Sequence, residues 1–237
     1  MINLLKVENL YVGYYEDINI LQGLSLEAEK QQITAVLGPN GVGKSTLLKS
    51  ISGFLDPNSG DIKYKDNSIT GIKPFKAITR GIVYLPQQLT LFQRMTVKEN
   101  LQLGAWTIRR DKEIINQRIS DNFERFPILE EKQNTSVGNL SGGQQRMVDL
   151  GRALMSAPEM LLVDEPTAGL APNLAQSMYD MLTRLTDDGI TILLVDQNIR
   201  KAIEISDYIY AVELGKNKTQ GSREEFADVK EVIKDWL

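Results

Sequence analysis

Histidine and cysteine are both absent from the 237 residues. The first absence removes the commonest general base and the commonest neutral metal ligand. The second excludes a disulfide framework and thiolate metal sites, and suits a reducing compartment. No apolar run approaches the ~20 residues needed to cross a bilayer; the strongest, residues 160–163 and 190–195, are short. The opening MINLLKVENL lacks the basic-then-apolar layout of a signal peptide. Positive charge is not in surplus, with 27 Lys and Arg against 31 Asp and Glu. That argues against a nucleic-acid partner held by a general basic surface. The expectation is a soluble protein that works at a membrane only if something else holds it there.

Short apolar, β-branched runs alternate with helical patterns, which predicts an α/β fold with a mostly parallel sheet flanked by helices. Four runs end in polar or glycine-rich groups: 33–37 before Gly38, 81–85 before Pro86-Gln87, 160–163 before Asp164-Glu165, and 190–195 before Asp196-Gln197. Ligands of open α/β sheets bind outside the carboxyl ends of strands, so these ends are expected to line one crevice. Pro172 opens a helix whose apolar face is Leu174, Met178, Leu182 and Leu185, ended at Asp187-Asp188-Gly189. The stretch 97–156 is helical in pattern, and the first ~30 residues resemble antiparallel strands covering one side. Residues 216–237 are assigned only to peripheral packing.

Gly38-Pro39-Asn40-Gly41-Val42-Gly43-Lys44-Ser45-Thr46 fits the phosphate-binding pattern G-x-x-x-x-G-K-[ST] between strand and helix. Its glycines let backbone N–H groups curl around phosphate oxygens at a helix amino end. Lys44 is expected to reach the β- and γ-phosphates, and the Ser45 hydroxyl to ligate Mg²⁺. Asp164, closing a buried strand, suits the Mg²⁺ shell; Glu165 is the candidate to orient and deprotonate the attacking water. Gln87 is a further candidate contact to Mg²⁺ or water. The run Leu140-Ser141-Gly142-Gly143-Gln144-Gln145-Arg146 has two glycines, a hydroxyl and an arginine but no obvious core role. Ser141 reads as an N-cap, and the helix after it is expected to bury Met147, Leu150 and Leu154 before Pro158.

With residues 38–46, Gln87, LSGGQQR and LLVDEP together, the chain resembles the ATP-binding subunits of ABC transporters along nearly its whole length. The resemblance implies a P-loop core with an N-terminal antiparallel β subdomain and an inserted helical subdomain. It divides the chain into about 1–88 and 159–237 for the core and about 89–158 for the helical part. It implies ATP and Mg²⁺ as ligands and a head-to-tail dimer with a second ABC ATPase subunit, identical or related. Ser141, Gly142, Gly143 and Gln144 would then meet the γ-phosphate of ATP held by that second subunit. Tyr14 (or Tyr15) would stack on adenine, and transmembrane permease subunits would hold the protein on the cytoplasmic face of a membrane.

The stretch Phe92-Gln93-Arg94-Met95-Thr96-Val97-Lys98-Glu99-Asn100-Leu101, with Gly104-Ala105, is similar to the branched-chain amino-acid uptake ATPases. So are Gly169-Leu170-Ala171-Pro172 and Leu194-Val195-Asp196-Gln197-Asn198. Gln197 stands where ABC ATPases usually carry a switch histidine, and Ala171 where they usually carry an aspartate. That group often has Glu at the place of Gln87. Gln197 can hydrogen-bond a γ-phosphate but cannot carry a proton near neutrality, which leaves Glu165 as the main catalytic group. Residues 87–103, with Phe92 and Met95, are expected to dock a permease helix. The alternative function is a soluble ABC ATPase of cofactor assembly; coiled coils and a second P-loop, needed for DNA or ribosome work, are missing.

Overall fold

The computed structural model describes residues 3–15 and 18–226. Two sheets stack through one hydrophobic layer. The smaller contains β1 (Asn3–Val12), β2 (Leu21–Glu29), β4 (Ser59–Tyr64) and β5 (Asn67–Ser68) in the order β2-β1-β4-β5, all antiparallel. The larger runs β10-β9-β3-β8-β7-β6 and uses β3 (Ile33–Leu37), β6 (Ile82–Leu85), β7 (Met160–Asp164), β8 (Thr191–Val195), β9 (Tyr208–Glu213) and β10 (Lys216–Ser222). Its pairings are parallel except β9 with β10.

Helices α1 (Lys44–Ile51), α2 (Pro74–Thr79), α3 (Val97–Gly104), α4 (Lys112–Arg125) and α5 (Pro127–Glu131) precede α6 (Gly142–Leu154), α7 (Pro172–Asp187) and α8 (Ile199–Ile205). Between β6 and β7 the chain adds α3 to α6 and no strand. None of the helices among the described residues is long and apolar enough to cross a membrane.

Strands β3, β7 and β8 are buried at every position, which is why they read as unbroken apolar runs. Alternate side chains divide between two cores. Leu161, Val163, Ile192 and Leu194 face α6 and α7, while Leu162, Leu193 and Val195 face α1 and the antiparallel sheet. The sheet is therefore covered on both faces, and its carboxyl edge is left for chemistry.

Several expectations shift by a residue or a partner. The runs at 81–85 and 190–195 become strands only from Ile82 and Thr191, because Gly81 (φ 87°) belongs to a turn. Met147 is only partly buried, and Val148 takes the core position beside Leu150 and Leu154. Tyr179 joins Met178, Leu182 and Leu185 on the buried face of α7, while Leu174 is half-buried. Residues 216–222, expected only as peripheral packing, form the edge strand β10; residues 227–237 lie outside the described residues. Helix α7 has Pro172 in its first turn, and Ala171 at its N-cap offers no side-chain acceptor.

Candidate active site

The loop between β3 and α1 carries the phosphate-binding run. Gly43 is the N-cap of α1 at φ 102°, a left-handed conformation costly for a side-chain residue. A Cβ there would lie 2.5 Å from Leu21 Cδ2, and one on Gly38 would lie 2.3 Å from the carbonyl oxygen of Val212. Gly41 meets nothing within 4 Å, so that turn of backbone is open to a ligand. Pro39, Asn40 and Val42 complete the loop, and Thr46 is buried in the first turn of α1. Lys44 folds back over the loop, donating to the carbonyls of Gly38 at 2.8 Å and Pro39 at 3.0 Å. Burial lowers the pKa of its ammonium, against the opposing charges of Glu165, Asp164 and Asp196.

The neighbouring strand end supplies two carboxylates. Ser45 Oγ donates to Asp164 Oδ1 at 3.0 Å, while Tyr84 from β6 donates to Asp164 Oδ2 at 2.8 Å. Burial and the adjacent Asp164 charge push the Tyr84 phenol far above its ordinary range, so it stays a donor. Glu165 has φ 46°, unusual for a non-glycine residue, and its N–H is tied to the carbonyl of Val195 at 2.8 Å. Its Oε2 accepts from Gln87 Nε2 at 2.6 Å and also from Gln197 Nε2. Among the described residues no side chain donates to Oε1.

The structure thus brings together the P-loop, Asp164, Glu165, Gln87 and Gln197 from four strand ends, as the alternation of elements suggests. Tyr14 stands beside the last turn of α1: it is 52% exposed, with Lys49 Nζ 5.7 Å from its ring centroid. Tyr15 is 75% exposed and has no such anchor among the described residues. Ser141, Gly142, Gly143 and Gln144 are placed elsewhere, at the start of α6. Ser141 and Gln144 form a capping box, with Gln144 N donating to Ser141 Oγ at 3.3 Å and Ser141 N to Gln144 Oε1 at 3.0 Å. Gly142 has nothing within 4 Å of a Cβ, whereas one on Gly143 would meet Leu174 Cδ1 at 2.6 Å. Gly142 therefore presents an open face, and Gly143 permits close packing against α7.

Sequence reasoning missed a polar node behind Glu165. Asp196 is buried, accepts from Tyr179 OH at 2.9 Å and from the N–H of Asn198 at 2.9 Å, and Tyr179 OH lies 3.0 Å from Thr167 Oγ1. Burial raises the pKa of the Asp196 carboxyl, opposed by those hydrogen bonds and reinforced by the charge of Glu165. The signal was available in principle: Asp196 ends a wholly buried strand, as Asp164 does. Tyr84 and Tyr179 carried no such sign, since aromatic residues are ordinary in strands and helix faces.

The model of the ABC transporter family matches residues 21–168, well over half of the chain. The chain belongs to the ABC transporter family. A probable branched-chain amino acid transport ATP-binding protein LivF of Archaeoglobus fulgidus is 40% identical over 226 residues, covering 95% of this chain and 94% of that protein. BraG of Pseudomonas aeruginosa, a high-affinity branched-chain amino acid transport ATP-binding protein, is 37% identical over 203 residues, with 86% of each chain covered. A crystal structure of the ADP conformation of an ATP-binding cassette of an ABC transporter aligns with TM-score 0.87 at 32% identity, covering 99% of this chain and 96% of that one. As an ABC ATPase subunit the chain binds nucleotide and hydrolyses ATP to drive transport.

Proposed function

We propose that this ABC ATPase powers import of branched-chain or related amino acids, as a peripheral subunit on the cytoplasmic face of a membrane. The observation that carries the transported class is the 40% identity to LivF over nearly the full length of both chains. Gln197 and Ala171, the two departures from the general ABC pattern, point the same way. In this reading a second ABC ATPase subunit, identical or related, completes each site, and transmembrane permease subunits carry the solute. Residues 87–103 form the docking face, with Phe92 55% exposed and its loop pinned by Asn100, whose Oδ1 accepts from Phe92 N at 2.9 Å. The helical part of about 89–158 is read as the subdomain that carries both this face and residues 141–144.

Within the site, Lys44 and the backbone of residues 38–46 bind the phosphates, and Tyr14 stacks on adenine. The hard oxygen donors Ser45 Oγ and Asp164 Oδ1, 3.0 Å apart, suit an ion that keeps most of its waters and phosphate oxygens. Bound there, Mg²⁺ would supply neutralisation of the charge that develops during phosphoryl transfer. Gln87, whose amide donates to Glu165, is a further candidate contact to the ion or the attacking water. Glu165, aimed by Gln87 and Gln197, orients the attacking water and takes its proton. Ser141, Gly142, Gly143 and Gln144 serve the partner's nucleotide.

Purification from membranes tests the assembly: recovery with two hydrophobic permease subunits is expected, and recovery only with soluble proteins rejects it. Uptake of labelled leucine by vesicles holding the whole transporter and its solute-binding protein tests the cargo. Leucine uptake no faster than that of an unrelated amino acid rejects that assignment.

A further inference from the structure

Arg146 is buried, and a buried guanidinium is costly unless its contacts serve a purpose that an apolar side chain cannot. Its contacts are specific. Nη1 donates to the carbonyl of Pro86 at 3.0 Å and Nη2 to the carbonyl of Gln87 at 2.5 Å, so one planar group grips two successive peptides. Asp149, one turn along α6 and only 1% exposed, stands 3.8 Å from the same guanidinium. Its other oxygen accepts from Arg152 Nη2 at 2.8 Å, and Arg152 Nη1 donates to the carbonyl of Thr90 at 2.8 Å. Helix α6 thus holds the segment 86–90 at three carbonyls. It also touches α3 at backbone distance, since a Cβ on Gly104 would lie 2.1 Å from the carbonyl oxygen of Arg152. Helix α6 is thus tied both to helix α3 and to the segment bearing Gln87.

We infer that Arg146 is a positioning residue that couples the two ATP sites of the dimer. Its inference rests on the proposed sandwich, in which the open start of α6 at Ser141 and Gly142 meets the partner's nucleotide. Any displacement of α6 by that nucleotide is carried by Arg146 to the backbone of Gln87. The side chain of Gln87 ends on Glu165 of the chain's own site. Occupancy of one site thereby aligns the carboxylate of the other, and symmetry makes the relation reciprocal.

The test uses the full-length subunit in its dimer, comparing wild type with Arg146→Met, which keeps much of the side chain's bulk but has no donor for either carbonyl. Wild type is expected to hydrolyse ATP with a Hill coefficient of roughly two, falling toward one in the variant. Its kcat should fall about tenfold, the scale of a lost charge-assisted hydrogen bond. In a Glu165→Gln background both should dimerise at the same ATP concentration, because residues 141–144 are untouched. Asp149→Asn, which loosens Arg146 without altering the carbonyls, should move cooperativity in the same direction with about a threefold fall in kcat. Unchanged cooperativity in both variants overturns the inference, as does loss of dimerisation in step with turnover. A wild type with neither cooperativity nor an ATP-driven dimer would instead reject the sandwich itself.

Discussion

Gln197 donates its side-chain amide to Oε2 of Glu165, the oxygen that also accepts from Gln87 at 2.6 Å. A neutral amide holds the place of a titratable imidazole. Under the proposed function it would aim the carboxylate but could not share its proton, which leaves proton transfer to Glu165.

Replacing Glu165 by Gln should therefore abolish turnover while preserving ATP-driven dimerisation. Phosphate release and sizing chromatography in ATP measure the two separately. Near-normal hydrolysis by the purified variant would remove Glu165 from its role.

If each site needs residues 141–144 of a partner, specific ATPase activity should rise with protein concentration in the dilute range. Strict proportionality between rate and concentration, with a monomer demonstrated throughout, contradicts a shared site.

Tyr84 ties down the Asp164 oxygen that Ser45 leaves free. Partners that orient a metal-binding carboxylate are worth about tenfold in metal affinity. Tyr84→Phe is accordingly expected to raise the Mg²⁺ needed for half-maximal rate about tenfold at fixed ATP. An unchanged Mg²⁺ requirement rules out this orienting role.

Gly142 and Gly143 should separate site from scaffold. Gly142→Ala, with empty space around its Cβ, should keep thermal stability and lose ATPase activity, because in the proposed sandwich the methyl would occupy the face offered to the partner's phosphate. Gly143→Ala forces Leu174 aside and should cost about 1 kcal/mol, read as a lower Tm. Loss of stability in the first variant would mean that Gly142 is structural.

Asp196 supplies a pH dependence. Burial raises its folded pKa, so the folded state binds that proton more tightly than the unfolded chain does. Protonation thus favours folding, and the penalty of the buried charge is relieved as pH falls through the raised value. Asp196→Asn lacks the charge at every pH. Its Tm relative to wild type should accordingly be highest near neutrality and decline as the pH is lowered toward the ordinary carboxylate range. A difference that does not vary with pH refutes the buried-charge account.

Much of this molecule is decided by local sequence. Short unbroken runs such as MLLV, bounded by turn and polar residues, suit a strand buried on both faces, and a strand ending in Asp164-Glu165 places those carboxylates at the sheet's carboxyl edge. The glycine pattern of residues 38–46 requires a loop of free N–H groups ahead of a helix, and Ser141 followed by Gln144 specifies a capped helix start. What tertiary structure alone decides is which distant groups meet. Tyr84 and Asp164, Asp196 and Tyr179, and Arg146 with the carbonyls of residues 86 and 87 are pairings made by strand order and helix docking. They involve side chains whose types are common anywhere in a core, and backbone carbonyls that carry no sequence signature. The motif at residues 140–146 shows the division most clearly. Sequence marks it as a surface built for contact, but only the packed fold links its arginine to Gln87 and, through Gln87, to Glu165.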